Sequence, residues 1–241
     1  MGGPVVRRPV GYFFRPVKQL DNDIWIADTP LRVMGLELGA RMTVIRLPGS
    51  KLLLHSPVQP SPRLVRELDA LGEVAWLIAP NRFHHMYVQL WKDACPDAEI
   101  HVAPTLERKR SDLEVTGILT DIPNPGWAET VDQVVVQGIP MTREVVFFHR
   151  PSATLILTDL AFNIGDSSPR MTRAAFRMAG SYGRLAPTAF ERLLVRDRDA
   201  FRASMERVLD WPFGRVVVTH GNVCESGGRD ALIDGYAWLA G

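Results

Sequence analysis

Four apolar runs along this chain each end on polar side chains that can bind a metal or a substrate. The clearest run, residues 216–218, consists of valines and leads to Thr219-His220-Gly221. The other runs and the groups that follow them are 155–157 with Asp159, 52–54 with His55, and 74–79 with Asn81, Arg82, His84 and His85. Short apolar runs of this kind are typical of buried strands. Because ligands of α/β sheets gather at the carboxyl ends of strands, we expect these groups to meet at one site.

The first half of the chain predicts strands and helices in alternation. Pro48-Gly49-Ser50 separates two apolar runs and predicts a β-hairpin over residues 42–55. Ser61 and Pro62 are typical of a helix cap and a first helical position, and Gly72 is typical of a helix end. The other elements predicted in this half are strand 23–27, strand 74–79, helix 84–94 and strand 99–103. The order from the second hairpin strand onward is therefore β-α-β-α-β.

The second half begins with a β-rich stretch over residues 118–159. Its clearest feature is a hairpin with strands 144–149 and 154–159, joined by Arg150-Pro151-Ser152-Ala153. In such a hairpin the last residue of the first strand lies opposite the start of the second. We therefore expect His149 to lie at the far end from Asp159.

Residues 167–210 alternate arginines with apolar side chains, a pattern that predicts a pair of amphipathic helices. We interpret the arginines as a solvated face balanced by nearby acids; a phosphate-binding face or a lid over the site is the alternative. The strand to His220 and a final helix over 229–239 follow. The β-rich halves, 23–103 and 118–221, can each supply one sheet.

Composition narrows the class of protein. A chain of 241 residues with 46% hydrophobic residues can bury a sizeable core. We expect an irregular arm over residues 1–22 and a single domain over 23–241.

The net charge of +1 predicts no nucleic-acid or membrane partner, and leaves a small-molecule ligand or substrate. Two cysteines and no long apolar segment favour a cytoplasmic location, whereas the oligomeric state has no sequence signal.

Imidazoles and carboxylates at strand ends point to a divalent metal. Zinc, iron and manganese bind such groups when three or four of them converge from separate loops. The candidates are His55, His84, His85, Asp159 and His220. Adjacent histidines can reach one metal only from a loop or a first helical turn, because side chains on a helix diverge by about 100° per residue. Taken singly, each histidine can equally be a structural residue.

Several stretches resemble the metallo-β-lactamase fold and, more narrowly, the DUF4336 proteins of that superfamily. They are Arg41 to Leu47, His55-Ser56-Pro57-Val58, Asn81 to His85, Val145 to His149, and Thr158 to Asn163. The resemblance spans roughly residues 20 to 225. It implies an α/β (α+β) protein built as a four-layer αββα sandwich.

The superfamily's metal pattern, Thr-His-x-His-x-Asp-His with a middle His, a bridging Asp and a last His, is only partly present. Pro80 and Arg82 stand at two histidine positions of the first metal site, and the middle histidine falls near Pro140 or Met141. The resemblance therefore implies that the first site is lost. The metal ligands that it implies for the second site are His84, His85, Asp159 and His220. His55 replaces a supporting aspartate, as a fifth ligand or a donor behind the ligands.

Two functions remain open at this stage. The first is a divergent metal-dependent hydrolase with one metal, acting on a small ester, lactone, thioester or phosphoester, in which Asp159 or His55 assists as a base. Asn81 and Arg82 would then hold an anionic substrate or oxyanion, and Asn163 would line the pocket. The second is a non-catalytic relative that binds a ligand or partner through the former active-site cleft.

Overall fold

The computed structural model describes residues 17–239, which form two packed sheets with helices on both outer faces. The strands are β1 (Lys18–Asp21), β2 (Ile24–Thr29), β3 (Arg32–Val33), β4 (Leu36–Glu37), β5 (Ala40–Leu47), β6 (Lys51–His55), β7 (Glu73–Ala79), β8 (Glu99–Val102), β9 (Gly117–Ile118), β10 (Val131–Val135), β11 (Val145–His149), β12 (Thr154–Leu157) and β13 (Arg215–Val218). The helices are α1 (Pro62–Asp69), α2 (Val88–Ala94), α3 (Leu106–Lys109), α4 (Arg170–Met178), α5 (Ala189–Leu194), α6 (Arg198–Leu209) and α7 (Gly228–Gly235), with short 3₁₀ turns at Pro48–Ser50 and Ala237–Leu239.

The first sheet has seven strands in the order β1-β2-β5-β6-β7-β8-β9. Its first four strands pair antiparallel, and the pairs from β6 to β9 are parallel. The parallel strands are joined by α1, α2 and α3, as the βαβ connection requires. The carboxyl ends of β6 and β7 therefore lie side by side, with His55 paired to Ile78.

The second sheet has four strands in the order β10-β11-β12-β13. β11 and β12 form an antiparallel hairpin, whereas β12 and β13 are parallel, with Leu157 paired to Val218. Asp159 and His220 follow these two neighbouring strands after equivalent short steps. The parallel pairing places both residues at one edge of this sheet.

Apolar side chains fill three layers. Ile45, Leu53 and Ile78 of the first sheet pack against Phe147 and Ile156 of the second, which forms the central core between the sheets. The outer face of the first sheet is covered by α1 and α2, and that of the second by α6 and α7. The four layers α-β-β-α confirm the predicted architecture.

The predicted hairpins and most predicted elements are confirmed, with three differences. The helix predicted from residue 84 begins only at Val88, because Oδ1 of Asn81 accepts the backbone N–H groups of Phe83 and His84 and holds these residues in turns. Residues 167–210 form three helices rather than two. The irregular arm predicted over residues 1–22 lies mostly outside the described residues, and Lys18–Asp21 is not irregular but pairs with β2 as a strand.

Within residues 17–239, the longest apolar helical stretch falls short of what a bilayer span requires. The helices there are at most 12 residues long, whereas a spanning helix needs about 20.

Candidate metal centre

Three of the predicted ligands come together where the two sheets meet. His84 lies in the turns that follow β7, Asp159 follows β12, and His220 follows β13. Their ligand atoms all lie within 4.8 Å of one another. Nε2 of His84 is 3.2 Å from Oδ1 of Asp159, and Nε2 of His220 is 3.6 Å from the same oxygen. The centre therefore joins one residue from the first sheet to two from the second.

Each imidazole is oriented by a hydrogen bond on its other nitrogen. Nδ1–H of His220 donates to the carbonyl oxygen of Gly39 over 2.6 Å, so Nε2 of the neutral ring keeps its lone pair for the centre. Nδ1 of His84 lies 2.8 Å from Oγ of Ser56. Hydrogen bonds behind the ligands are the usual means by which proteins fix the tautomer and direction of metal-binding histidines.

Asn81 holds the aspartate from the opposite side. Its Nδ2 group donates to Oδ2 of Asp159 over 2.6 Å and to Oγ1 of Thr158 over 2.9 Å. Oδ1 of Asp159 is thereby left facing the two histidines. Asn81, which the sequence suggested as a substrate-binding residue, is fully buried and positions the carboxylate.

Glu144 supports the same loop from beneath. Its buried carboxylate accepts the backbone N–H groups of Thr158, Asp159 and Leu160 over 2.6, 2.7 and 3.2 Å. Burial, together with the nearby charge of Asp159, raises the pKa of Glu144 to about 7. The sequence argument did not single out this residue; the only signal was an acid directly before the apolar residues 145–148 of β11.

The charges of the centre are strongly coupled. Burial alone would raise the pKa of Asp159, but His84 and His220 outweigh it and hold the pKa well below its ordinary value. Burial opposes protonation of His84, yet the adjacent Asp159 carboxylate raises the pKa of that ring. Asp159 is therefore a carboxylate that attracts cations, whether a proton on His84 or a metal ion.

The donor set fits a divalent transition metal. Two imidazole nitrogens and one carboxylate oxygen are the ligands that zinc and iron prefer, and three protein ligands leave a position for water or substrate. The ligand directions are already set by Gly39, Ser56 and Asn81. A metal at this position would take the place of a proton on Nε2 of His84, because an imidazole binds a metal through a deprotonated nitrogen.

His55 lies beside this group without joining it. It is buried at the end of β6, and its ring packs edge-on against Phe147 with centroids 5.0 Å apart. Its Nε2 is buried without a hydrogen-bond partner. Burial, followed by the influence of His84, lowers the pKa of His55 to about 3, so the ring is neutral at neutral pH.

His85 is directed away from the centre. Its Nδ1 accepts a hydrogen bond from Nη1 of Arg110 over 2.8 Å. Burial and then the positive charges of Lys109 and Arg110 lower its pKa to about 4. The three-residue group that can hold a metal does not include His85 among residues 17–239.

The remaining predicted site residues, Arg82 and Asn163, lie on loops next to the three-residue centre and are not part of it. Arg82 lies on the same loop as His84, and its Nη1 is 3.5 Å from the carbonyl oxygen of Pro140. Nδ2 of Asn163 donates to the carbonyl oxygen of Asn222 over 3.0 Å, next to the strand end that carries His220.

The centre is largely covered. The side chains of His84, Asp159 and His220 are 12%, 15% and 6% exposed. Phe162 stacks on the His220 ring, with centroids 5.7 Å apart, and Phe176 of α4 packs edge-on against Phe162. The helical segment thus covers one side of the centre.

A cleft of about 790 Å³ opens beside the covered side. It runs from the β3–β4 hairpin to the loop after β13, where Gly39 meets His220. Gly39, Thr219, Gly221 and Asn222, the lining residues next to His220 in space or sequence, form its wall beside the centre, and Tyr87 and Gln59 also line it. The volume is that of a small-molecule site.

Two backbone positions near the centre are constrained. Ser56, the residue that contacts His84, has φ of +55°, which is uncommon for a residue other than glycine. Gly221 has φ of +101°, and a Cβ there would meet the carbonyl oxygen of Asn163 at 2.3 Å. The glycine after His220 is therefore required by the close approach of the 163 loop.

Comparison with known proteins places this geometry in a family. Residues 21–180 match the family described as Domain of unknown function (DUF4336). A comparison with curated proteins finds no matching sequence.

Solved structures of similar fold are numerous. A metallo-beta-lactamase from Pontibacter korlensis is similar with a TM-score of 0.65 and 11% identity, over 94% of this chain and 99% of that one. VMB-1 is similar with a TM-score of 0.67 and 13% identity, over 96% and 98%. The Flv1 flavodiiron core from Synechocystis sp. PCC6803 is similar with a TM-score of 0.64 and 14% identity, over 95% of this chain and 61% of that one. At these identities the likeness concerns the fold. The chain therefore belongs to the DUF4336 family and is a divergent protein of the metallo-β-lactamase fold.

Proposed function

We propose that this protein is a metal-dependent hydrolase with a single metal ion held by His84, Asp159 and His220. The observation that carries the proposal is the convergence of their three ligand atoms within 4.8 Å. Surface acids come together by chance, but these side chains are mostly buried and held from behind by hydrogen bonds. Perturbed titratable groups that converge in this way are typical of functional sites.

When bound, a metal ion in such a site lowers the pKa of a water molecule and polarises a carbonyl or phosphoryl oxygen. The chain supplies the remaining requirements. Asp159, held as a carboxylate, offers Oδ1 to a proton of a nearby water, while Asn81 keeps Oδ2 occupied. Phe162 limits the access of bulk water to His220. We expect His55 to shape the wall as a neutral ring, because its pKa of about 3 makes it a weak base.

The substrate class that fits is a small ester, lactone, thioester or phosphoester. The cleft of about 790 Å³ accommodates a ligand of that size. A metal-activated water can attack either a carbonyl or a phosphoryl centre.

A non-catalytic role in ligand binding is the second candidate. The observation that favours it is the low exposure of the three ligands, none above 15%. A centre so covered can hold a metal as a structural link, with a ligand bound only in the neighbouring cleft.

Metal content tests the proposal. Protein purified without chelator is analysed by inductively coupled plasma mass spectrometry, together with the variants His84→Ala, His220→Ala and His85→Ala. We expect about one equivalent of zinc, iron or manganese in the wild type, retained by His85→Ala and lost from the other two variants. His85→Ala is the matched control, because its side chain is adjacent in sequence and directed elsewhere.

Two results would contradict the proposal. One is a wild-type protein that takes up no metal even after reconstitution. The other is equal metal content in all variants, which would place the ion elsewhere. If one equivalent binds at the proposed residues, turnover of ester, lactone and phosphodiester substrates by the loaded protein separates the hydrolase from the non-catalytic role.

A further inference from the structure

A group of cations lies on the loop of the metal centre and on the neighbouring helix α3. Nζ of Lys109 donates to the carbonyl oxygen of Arg82 over 2.7 Å, which ties the two residues together. The same ammonium group lies over the ring of Phe83, 5.4 Å from its centroid. Arg82 is two residues before His84, so this group borders the metal centre.

The charges of Arg82 and Lys109 have no acidic partner. Arg110, beside them, forms a two-bond ion pair with Asp112. Within residues 17–239, no carboxylate lies within ion-pair distance of Arg82 or Lys109. Nε of Arg82 is buried and has no hydrogen-bond partner. Burial lowers the pKa of Lys109, and the positive charges of Arg82 and Arg110 lower it further.

His85 adds a neutral donor to the group. Arg110 donates to its Nδ1, so the neutral ring carries its proton on Nε2. Arg110 directly follows Lys109 in the chain, so this hydrogen bond ties His85 to the group. An N–H donor thus accompanies the two unpaired cations.

Three exposed apolar side chains lie close to these donors in the chain or in space. Phe83, Met86 and Met141 are 47%, 55% and 44% exposed. Phe83 lies beneath Lys109, Met86 follows His85, and Met141 follows Pro140, whose carbonyl oxygen is near Arg82. Large apolar residues that remain exposed together typically mark a binding surface.

We propose that Arg82, Lys109 and His85 form a binding site for the oxyanion group of a ligand whose remaining part is apolar. Guanidinium and ammonium groups without acidic partners bind phosphate and carboxylate oxygens through charge-assisted hydrogen bonds. The apolar part lies against Phe83, Met86 and Met141. The site deepens the proposed function, since it would hold an anionic substrate beside the metal centre, but the anion is bound by the chain itself.

The test uses protein treated with chelator, so that a metal cannot bind the probe. Inorganic phosphate and phenyl phosphate are titrated by isothermal calorimetry into the wild type and into the variants Arg82→Gln, Lys109→Gln and Lys109→Arg. The matched control is Arg108→Gln, since Arg108 lies on the same helix with its side chain 82% exposed and directed to Glu107.

We expect saturable binding by the wild type, tighter for phenyl phosphate than for phosphate. The dissociation constant should rise at least about tenfold in Arg82→Gln and in Lys109→Gln, and change less than about threefold in Lys109→Arg and Arg108→Gln. The conservative Lys109→Arg variant separates loss of charge from loss of folding. Rising salt concentration should weaken binding by the wild type most strongly.

The proposal is overturned if the wild type shows no saturable binding of either probe. It is also overturned if all variants bind as the wild type does, or if Arg108→Gln loses as much affinity as Lys109→Gln. Because the titration is made without metal, its failure leaves the metal measurement unaffected, and a protein that takes up no metal can still pass this test.

Discussion

Nδ2 of Asn81 lies 2.6 Å from Oδ2 of Asp159, although the two residues belong to different sheets. The other end of the same amide accepts the backbone N–H groups of Phe83 and His84 over 2.8 Å each. One buried side chain therefore sets both the direction of the aspartate and the turn that presents His84. The distance between these two ligands depends on Asn81.

Replacing Asn81 by alanine should weaken the metal centre. Asp159 would lose the donor that holds Oδ2, and the turn at His84 would lose its acceptor. Loss of such a supporting residue typically lowers metal affinity about 10- to 100-fold. Competition with a chromogenic chelator measures this affinity.

The matched control is Gln89→Ala, because that amide donates to Asp93 on the exposed face of α2, away from the metal centre. It should leave metal affinity unchanged. Equal affinities in wild type and Asn81→Ala would show that the Asp159 carboxylate keeps its orientation without the asparagine.

Replacing Glu144 by glutamine should destabilise the protein. The carboxylate accepts three backbone N–H groups, and an amide NH₂ facing the same groups would leave buried donors unpaired. We expect the free energy of unfolding to fall by about 1–3 kcal/mol, as measured by denaturant titration. Glu129→Gln, at an exposed position, is the control and should change it by less than about 0.5 kcal/mol. An unchanged midpoint in Glu144→Gln would contradict the role assigned to the carboxylate.

His149 should make stability depend on pH far from the metal centre. Burial lowers its pKa from 6.5 to about 4, although Asp23 and Asp21 act to raise it and Arg150 acts to lower it. As pH falls from 6.5 towards 4, the unfolded chain gains a proton at this residue and the folded chain does not, so stability is lost over that range.

The measurement is denaturant unfolding of wild type and His149→Gln at about pH 7.5 and about pH 5. The wild type should lose about 1–2 kcal/mol more than the variant between the two conditions. The comparison cancels the contributions of other titrating groups, such as His55, that both proteins share. Parallel losses in the two proteins would mean that His149 becomes protonated within the fold.

Gly221→Ala should destabilise the strand end that carries His220. The added Cβ would lie 2.3 Å from the carbonyl oxygen of Asn163, at a backbone angle that disfavours other residues. We expect a loss of at least about 2 kcal/mol in the free energy of unfolding, with weaker metal binding. Gly214→Ala, at the other end of β13, has open space around the added atom and should be close to neutral. Equal free energies of unfolding in the two variants would show that the Asn163 loop accommodates the added Cβ without loss of stability.

Strand ends were predictable from sequence because short apolar runs that are rich in β-branched residues and bounded by turn residues favour strands over helices. The resemblance then placed Asp159 and His220 at one edge. The direction of His85 was not predictable, because it follows from the turn that Asn81 imposes and from the position of Arg110, directly after α3. Adjacent side chains on a turn diverge according to tertiary contacts that local sequence does not encode.

The helices in residues 167–210 include one whose start is marked by a sequence motif that the prediction did not use. Thr188 caps α5, and the side chain of Glu191 accepts the backbone N–H of Thr188. This Thr-x-x-Glu box is a helix start that the sequence contains. Helical periodicity alone does not separate α5 from the neighbouring helices, because apolar residues continue through the segments between them.

The parallel pairing of β12 and β13 has a mechanical consequence. Asp159 and His220 follow neighbouring strands of the second sheet, whereas His84 follows a strand of the first sheet. A metal ion bound by all three residues would link the two sheets, which otherwise pack against each other mainly through apolar side chains. Separation of the two sheets would require this metal link to break, so we expect metal binding to couple the unfolding of one sheet to that of the other.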